Sequence, residues 1–431
     1  MNIALLVFII CFVLIFILRM PVAVGMMTAG VFYFVVSGGD PKFVASSCLR
    51  SLSNEYILIA VPLYIFAANI MNSSKITEMI FDFSMGLVGR LHGGLAHVNI
   101  LGSLVFSGMT GSAVADAAGL GKIEIEAMRK QGYGMGFSCA MTAASATIGP
   151  IFPPSIPMVI FATLSGASVG ALFMAGMVPG VLLALGLMVY VFAVAKKRNY
   201  PRSPVTDIKA YLWRTLKSLP ALLTPVILLL GIYTGVMTPT EAGAVAGLYA
   251  LLLGVFAYRI LDWKELKAVL IDTAKSTGVT ASMVGSAAVF TYIIAQEHVA
   301  DELSAWILNL TQNPYVFLFI VNMVLLVLGM FLSTTVIQLI FLPFMITVAR
   351  ALGIDMVHFG VITTFNIMVG LSTPPYGLLL FITSGLSGTP LKEVFKEILL
   401  PCAVMIGVLF VITYFPDTVL FLPRMLLGYQ G

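Results

Sequence analysis

The stretch from Gly149 to Ser168 reads GPIFPPSIPMVIFATLSGAS, and that from Gly370 to Thr389 reads GLSTPPYGLLLFITSGLSGT. Gly149 aligns with Gly370, Pro153 with Pro374 and Pro154 with Pro375 at one constant offset. After one inserted residue, Ser165-Gly166 meets Ser387-Gly388. Each stretch is an apolar run cut by a proline pair. Proline lacks a backbone donor and clashes with the turn before it, so two in succession end a helix. The shared glycine before the pair and the shared Ser-Gly after it argue against coincidence. Two related broken helices are therefore predicted, near 136–168 and near 356–389.

Upstream of each lies a second interruption of another kind. Gly102 to Gly119 reads GSLVFSGMTGSAVADAAG, and Gly329 to Phe341 reads GMFLSTTVIQLIF. Both set small hydroxyl residues after an apolar run: Ser107, Thr110 and Ser112 in the first, Ser333, Thr334 and Thr335 in the second. The predicted hairpin region is near 93–122 and its counterpart near 329–341.

Composition supplies the solvent. Of 431 residues 60% are apolar and 10% charged, against roughly 25% charged in a soluble domain. Residues 131–195 and 303–349 contain no Asp, Glu, Lys or Arg. A crossing takes about 20 apolar residues, so the apolar runs make roughly a dozen spanning or re-entrant segments. The runs are continuous, whereas a transmembrane β-barrel alternates apolar and polar positions. The expected fold is an all-α polytopic membrane protein.

The net charge of +4 matters less than its placement. Seven of the 23 basic residues lie between Lys196 and Lys217, and short basic loops stay cytoplasmic. MNIALLVFIICFVLIFILR has no basic residue before its apolar run and Arg19 after it, which predicts an outside N-terminus with Arg19 inside. A cleaved signal peptide would need a basic start. The first half then crosses an odd number of times and the second starts from the opposite side. That makes 1–195 and 218–431 inverted-topology repeats around a basic cytoplasmic connector, 196–217, a plan common in secondary transporters.

Inside hydrocarbon, non-helical backbone survives only where protein buries it or it lines a cavity. Freed carbonyls and adjacent hydroxyls offer an oxygen cage for a hard cation such as Na⁺, and half-helix N-termini can hold a carboxylate. The candidate Na⁺ positions are Ser103, Ser107, Gly108, Gly149 and Pro153 in the first half. In the second they are Thr334, Thr335, Gly370, Ser372, Thr373 and Pro374. Thr110, Ser155 and Ser333 are the candidate solute contacts. Isolated Pro179, Pro220 and Pro401 read as packing kinks. Asp116 is a polar residue at the expected return of the hairpin toward water. Glu241 in TPTEAGAVAG reads as a first-turn stabiliser, and QEHVADEL, with Glu297, Asp301 and Glu302, as a solvent-exposed loop.

Four cysteines in apolar surroundings and four histidines without metal spacing suggest packing residues and no transition metal. No cofactor, phosphate loop, nucleophile motif or nucleic-acid patch is evident, so energy must come from an ion gradient or a separate subunit.

SGMTGSAVADAAGLGKIEIEAM (Ser107–Met128), SATIGPIFPPSIPMVIFA (Ser145–Ala162), TPTEAGAVAGLYAL (Thr238–Leu251) and VGLSTPPYG (Val369–Gly377) span both halves. Together they resemble the large membrane subunit of the tripartite ATP-independent periplasmic (TRAP) transporters. The resemblance implies a multi-pass protein of the bacterial inner membrane, with a scaffold and an elevator-type transport domain carrying two inverted hairpins. It implies a small four-helix membrane partner, a soluble periplasmic binding protein, Na⁺ as coupling ion, and a small organic acid of the sialic acid or C4-dicarboxylate class. With no extra N-terminal block, the chain reads as an unfused large subunit. One departure stands out: where many relatives carry Asp in G-M-F-[LM]-D-T-T, this chain has Ser333, which bears on solute choice. Two rival readings are a stand-alone ion-coupled anion symporter and an intramembrane enzyme, for which Asp116 lacks an evident partner.

Overall fold

The computed structural model describes residues 2–18, 20–54, 56–74, 76–202 and 208–431. Arg19 and positions 203–207 of the expected connector lie outside them. Every described regular element is helical, as a backbone that must satisfy its own polar groups in lipid requires.

An antiparallel pair, α1 (Ile3–Ile17) and α2 (Val22–Ser37), leads through α3 (Lys42–Asn54) and a short 3₁₀ turn (Tyr56–Ile59) to α4 (Ala60–Ser73) and α5 (Ile76–Val88). Next come the two arms of the first hairpin, α6 (Gly94–Thr110) and α7 (Ala113–Lys130). The first broken helix follows as α8 (Met135–Ala146) and α9 (Ile156–Ser165), then the 30-residue α10 (Val169–Arg198).

After the connector run α11 (Ile208–Tyr233), α12 (Pro239–Leu252), a π turn (Leu253–Ala257) and the 34-residue α13 (Trp263–Gln296). Then come α14 (Val299–Leu310), α15 (Pro314–Phe331), α16 (Thr334–Ile340) and α17 (Leu342–Ala351), the last two meeting at a 53° bend. The second broken helix is α18 (Met356–Leu371) and α19 (Leu378–Ser387), closed by α20 (Leu391–Tyr414) and α21 (Asp417–Leu427).

Among the described residues six helices are long and apolar enough to cross a bilayer, the bent pair adds a seventh, and seven shorter apolar helices accompany them.

Helix starts are written locally. Asp262, Asn313 and Asp355 accept backbone N–H bonds at 2.7, 2.9 and 2.8 Å from Glu265, Tyr315 and His358, each satisfying an orphan donor of a first turn. Thr238 and Glu241 form a reciprocal capping box, the stabilising role expected for Glu241. Pro179, Pro220 and Pro401 all lie inside continuous helices.

Three expectations need correction. The basic stretch is not one loop: Lys196–Arg198 finish α10, where Arg198 pairs with Glu397 at 2.9 Å, and α11 begins at Ile208. Helix-end cations complement the C-terminal dipole, which is why the helix runs on into them. QEHVADEL is not a loop either. Glu297 caps α13, only His298 (φ 54°) intervenes, and α14 begins at Val299; Glu297 accepts a 2.6 Å bond from the Tyr33 hydroxyl. Asp116 does not face water: it is in the first turn of α7 and 1% exposed.

Apolar side chains bury into three clusters. A large central one draws on α6–α10, α15 and α17–α21, and in it Phe161, Phe359 and Phe317 lie ring against ring. One flanking cluster joins α1–α3 and α13 to α9 and α16; the other joins α4, α5, α11 and α12 to the first hairpin. Apolar residues on the outside, such as Val189, Leu230, Phe319 and Leu399, form a surface suited to lipid.

Candidate functional site

A cavity of about 310 Å³ opens where the interruptions meet. From the first half it is lined by the hairpin tip, Thr110 to Ala115, with Pro150, Ile156 and Pro157. From the second come Ser333, Thr334, Thr335, Met368, Leu371 and Leu378. Thr110 and Ser333, some 220 residues apart in sequence, thus share one space. Thr110 ends α6, and its buried hydroxyl has no partner. Ser112 begins α7 and Ser333 begins α16. Ser112 accepts from Ala115 N at 3.4 Å, whereas the Ser333 side chain makes no cap bond and is exposed to the cavity. Two helix N-termini therefore open at the cavity with hydroxyls beside them, an arrangement able to hold an anionic group. No charged side chain is among the lining residues.

Each break packs on the interruption of its own half. In the first, Gly111 has φ 59°, and a Cβ there would lie 2.6 Å from Pro154 O; only glycine fits that approach. Gly149 lies against the same tip, its notional Cβ 3.5 Å from the Ser112 carbonyl carbon. Ser107 donates to Leu104 O at 2.6 Å, and Gly108 packs on Pro225 with Pro153 O nearby. Ser103, one turn earlier, is buried. In the second half Gly370 packs on Gly329, and Gly377 N donates to Met330 O at 3.1 Å. Ser372 and Thr373 both donate to Val369 O, at 3.1 and 2.7 Å. The Pro153-Pro154 and Pro374-Pro375 peptides are both cis. The candidate cation positions thus fall into two groups of buried carbonyls and hydroxyls, with Thr334 and Thr335 at the cavity itself.

Ser155 is placed differently from the other two solute candidates. It caps α9, donating to Pro150 O at 2.5 Å and accepting from Met158 N at 3.2 Å, with no exposed surface. Its hydroxyl is committed to shaping the break, one residue behind the lining.

Both halves also brace their arms with a buried amide. Asn99 on α6 donates to Thr142 on α8 at 2.7 Å and accepts from Ser145 at 2.5 Å. Asn366 on α18 donates to Asn322 Oδ1 on α15 at 2.8 Å, and Asn322 donates to Thr413 at 3.0 Å.

Sequence reasoning missed the cavity's opposite wall: Asn69 on α4, and Ser276 and Thr280 on α13. Asn69 donates to Thr273 at 3.0 Å. Thr273, Ser276 and Thr280 recur at i, i+3 and i+7, a hydroxyl stripe at helical spacing that could have flagged this face.

Broken helices from both halves closing on one polar cavity inside an apolar helical body define a polytopic membrane protein of the transporter class. The chain belongs to the DctM family, described as "Tripartite ATP-independent periplasmic transporter, DctM component", whose model matches residues 8–418. It is 40% identical to the sialic acid TRAP transporter large permease protein SiaM of Vibrio cholerae, over 95% of this chain and 96% of that protein. To the C4-dicarboxylate TRAP transporter large permease protein DctM of Pseudomonas aeruginosa it is 36% identical, over 90% and 91%. Among solved structures, the YdaH transporter of Alcanivorax borkumensis matches with a TM-score of 0.61 at 13% identity, over 87% and 88% of the two chains, a likeness of fold. The protein is thus a membrane transport component rather than an enzyme.

Proposed function

We propose that this chain is the large permease of a Na⁺-coupled transporter of the bacterial inner membrane. It imports a small organic acid handed over by a soluble periplasmic binding protein and works with a small four-helix membrane subunit. The observation that carries the reading is the cavity shared by Thr110, Ser112 and Ser333 at two helix N-termini. The relatives named for sialic acid and for C4-dicarboxylates support an acidic solute. On this reading Thr110 and Ser333 contact the solute and Ser155 holds the break in shape behind them. The carbonyls and hydroxyls around Ser103, Ser107, Gly108, Gly149 and Pro153 form one Na⁺ site. Those around Gly370, Ser372, Thr373 and Pro374 form the other, with Thr334 and Thr335 between solute and ion.

Residues 1–195 and 218–431 act as inverted repeats, with the basic segment between them on the cytoplasmic side. The hairpins and broken helices move as an elevator-type transport domain against α1–α5 and α11–α14. The matched interruptions and the paired Asn braces support that division.

Proteoliposome uptake tests the assignment. Radiolabelled sialic acid and succinate are offered with and without an inward Na⁺ gradient, with and without the small subunit and binding protein. Uptake of one acid that needs all three components is expected. Uptake by the large chain alone would make it a stand-alone symporter, and uptake indifferent to Na⁺ would remove the ion from the mechanism.

A further inference from the structure

Glu124 lies on α7 more than two turns beyond Asp116, and nothing in the cavity or the two ion groups uses it. It is 1% exposed, and neither carboxylate oxygen has a hydrogen-bond partner. It sits where α5, α6 and α7 meet. Gly102 faces it from α6: a Cβ there would stand 3.1 Å from Glu124 Oε1 and 4.0 Å from Ser84 Oγ. Ser84, on α5, is itself fully buried with an unpartnered hydroxyl. A carboxyl and a hydroxyl are therefore turned toward one small space that glycine leaves open.

Among the described residues no Lys or Arg side chain faces the carboxyl. α8 and α19, both packed on α7, contain no Asp, Glu, Lys, Arg or His. From α6 comes His97, and from α5 come Glu78 and Asp82. On α7 itself Asp116 is buried, while Lys122, Glu126, Arg129 and Lys130 are at the surface. An isolated carboxylate held away from water is costly as an ion, and it resolves that cost by taking a proton. A carboxylic acid and a serine hydroxyl can each donate and accept, and here both border the gap at Gly102 without a hydrogen bond between them.

We propose that Glu124, with Ser84 and Gly102, is a proton-binding site within the α6–α7 hairpin, separate from the polar cavity. It is filled while α7 is packed on α5 and emptied when that contact opens to water. The step is a bare protonation: carboxylate plus a proton from water gives carboxylic acid, with no co-reactant.

Infrared spectroscopy of the purified full chain in lipid nanodiscs, over a pH series, reads protonated carboxyls directly. A buried protonated-carboxyl band at neutral pH is expected in the wild type, lost reversibly as the pH rises and missing from Glu124→Gln. In Ser84→Ala, which removes a hydroxyl able to donate to the ionised carboxylate, the loss is expected about one pH unit higher, because a donor favours the charged form. A band that survives Glu124→Gln overturns the site. So does a Glu124 band that ignores pH until the protein unfolds, because its proton would be fixed rather than exchangeable. Should Glu124→Gln fail to fold, an unmoved midpoint in Ser84→Ala overturns it instead.

Discussion

Gly329 and Gly370 hold α15 and α18 together backbone on backbone. A Cβ on Gly370 would lie 2.6 Å from Gly329 Cα, and one on Gly329 2.9 Å from Gly370 Cα. The bond from Gly377 N to Met330 O closes the same contact from the far side of the proline pair. The turn bearing Ser333 and the second break are thereby one mechanical piece, so side chains here act on the geometry of the cavity.

Gly370→Ala should accordingly be costly. The intruding methyl meets backbone, which cannot rotate aside, and overpacking of this kind costs about 1–3 kcal/mol. Gly385 in α19 provides the internal control, since a Cβ there meets nothing within 4 Å. Replacing it with Ala should be neutral or stabilising by up to about 1 kcal/mol. Thermal melting of the two purified variants compares them, and equal melting would mean that the glycine contact is loose.

The buried amide brace gives a second expectation. Asn322→Leu removes one of two acceptors of Asn366, which keeps the residue-322 carbonyl at 3.0 Å, and the donor to Thr413, which still bonds Leu409 O at 2.7 Å. Each lost bond costs about 0.5–1.5 kcal/mol. A cycle combining it with Asn366→Leu should show coupling of about 0.5–3 kcal/mol, because the bond between the two amides is lost only once. Additive losses in denaturation would show that the two side chains act independently.

Ser333→Asp places a carboxylate at the helix N-terminus proposed to hold the solute anion. Repulsion should raise KM for the acid about tenfold, which is about 1.4 kcal/mol, with less effect on the maximal rate. Ser333→Thr keeps the hydroxyl and should stay near wild type. An unchanged KM in the Asp variant, measured by concentration-dependent uptake, would move the solute away from α16.

The breaks were legible because proline pairs and hydroxyl runs carry their backbone consequences locally. The broken helix near 136–168 could be placed from its residues alone, matching α8 and α9, and Glu241 could be recognised as a first-turn stabiliser. The hairpin's return marks Asp116 as polar, but its full burial is not legible, because it depends on how α7 packs and no local pattern reveals that. Ser155 reads as a polar group at the break, and its spacing alone does not say that its hydroxyl is engaged by α9. Asn69 and Ser276 were invisible for a related reason. They belong to long helices without breaks, and only the packing of α4 on α13 turns them toward Thr110.

The last expectation concerns Met405, which no motif singled out. It is fully buried on α20, its sulfur 3.6 Å from Thr147 Oγ1 and 3.9 Å from Ser372 Oγ. Cys402, one turn away on the same face, donates to Ser372 O at 3.4 Å. One side chain therefore touches both broken helices, Thr147 at the end of α8 and Ser372 at the end of α18. If each break holds a Na⁺ ion as proposed, filling one orders backbone that presses on Met405 and so favours the arrangement needed at the other. Met405→Leu keeps most of the volume and should preserve this contact. Met405→Ala opens a void costing about 2–5 kcal/mol and uncouples the breaks. The Na⁺ dependence of uptake should then become less steep in Met405→Ala, its Hill coefficient falling toward one, while Met405→Leu remains steep. A fall in maximal uptake that merely tracks the amount of folded protein, with the steepness unchanged, would reduce Met405 to packing and leave the two breaks to fill independently.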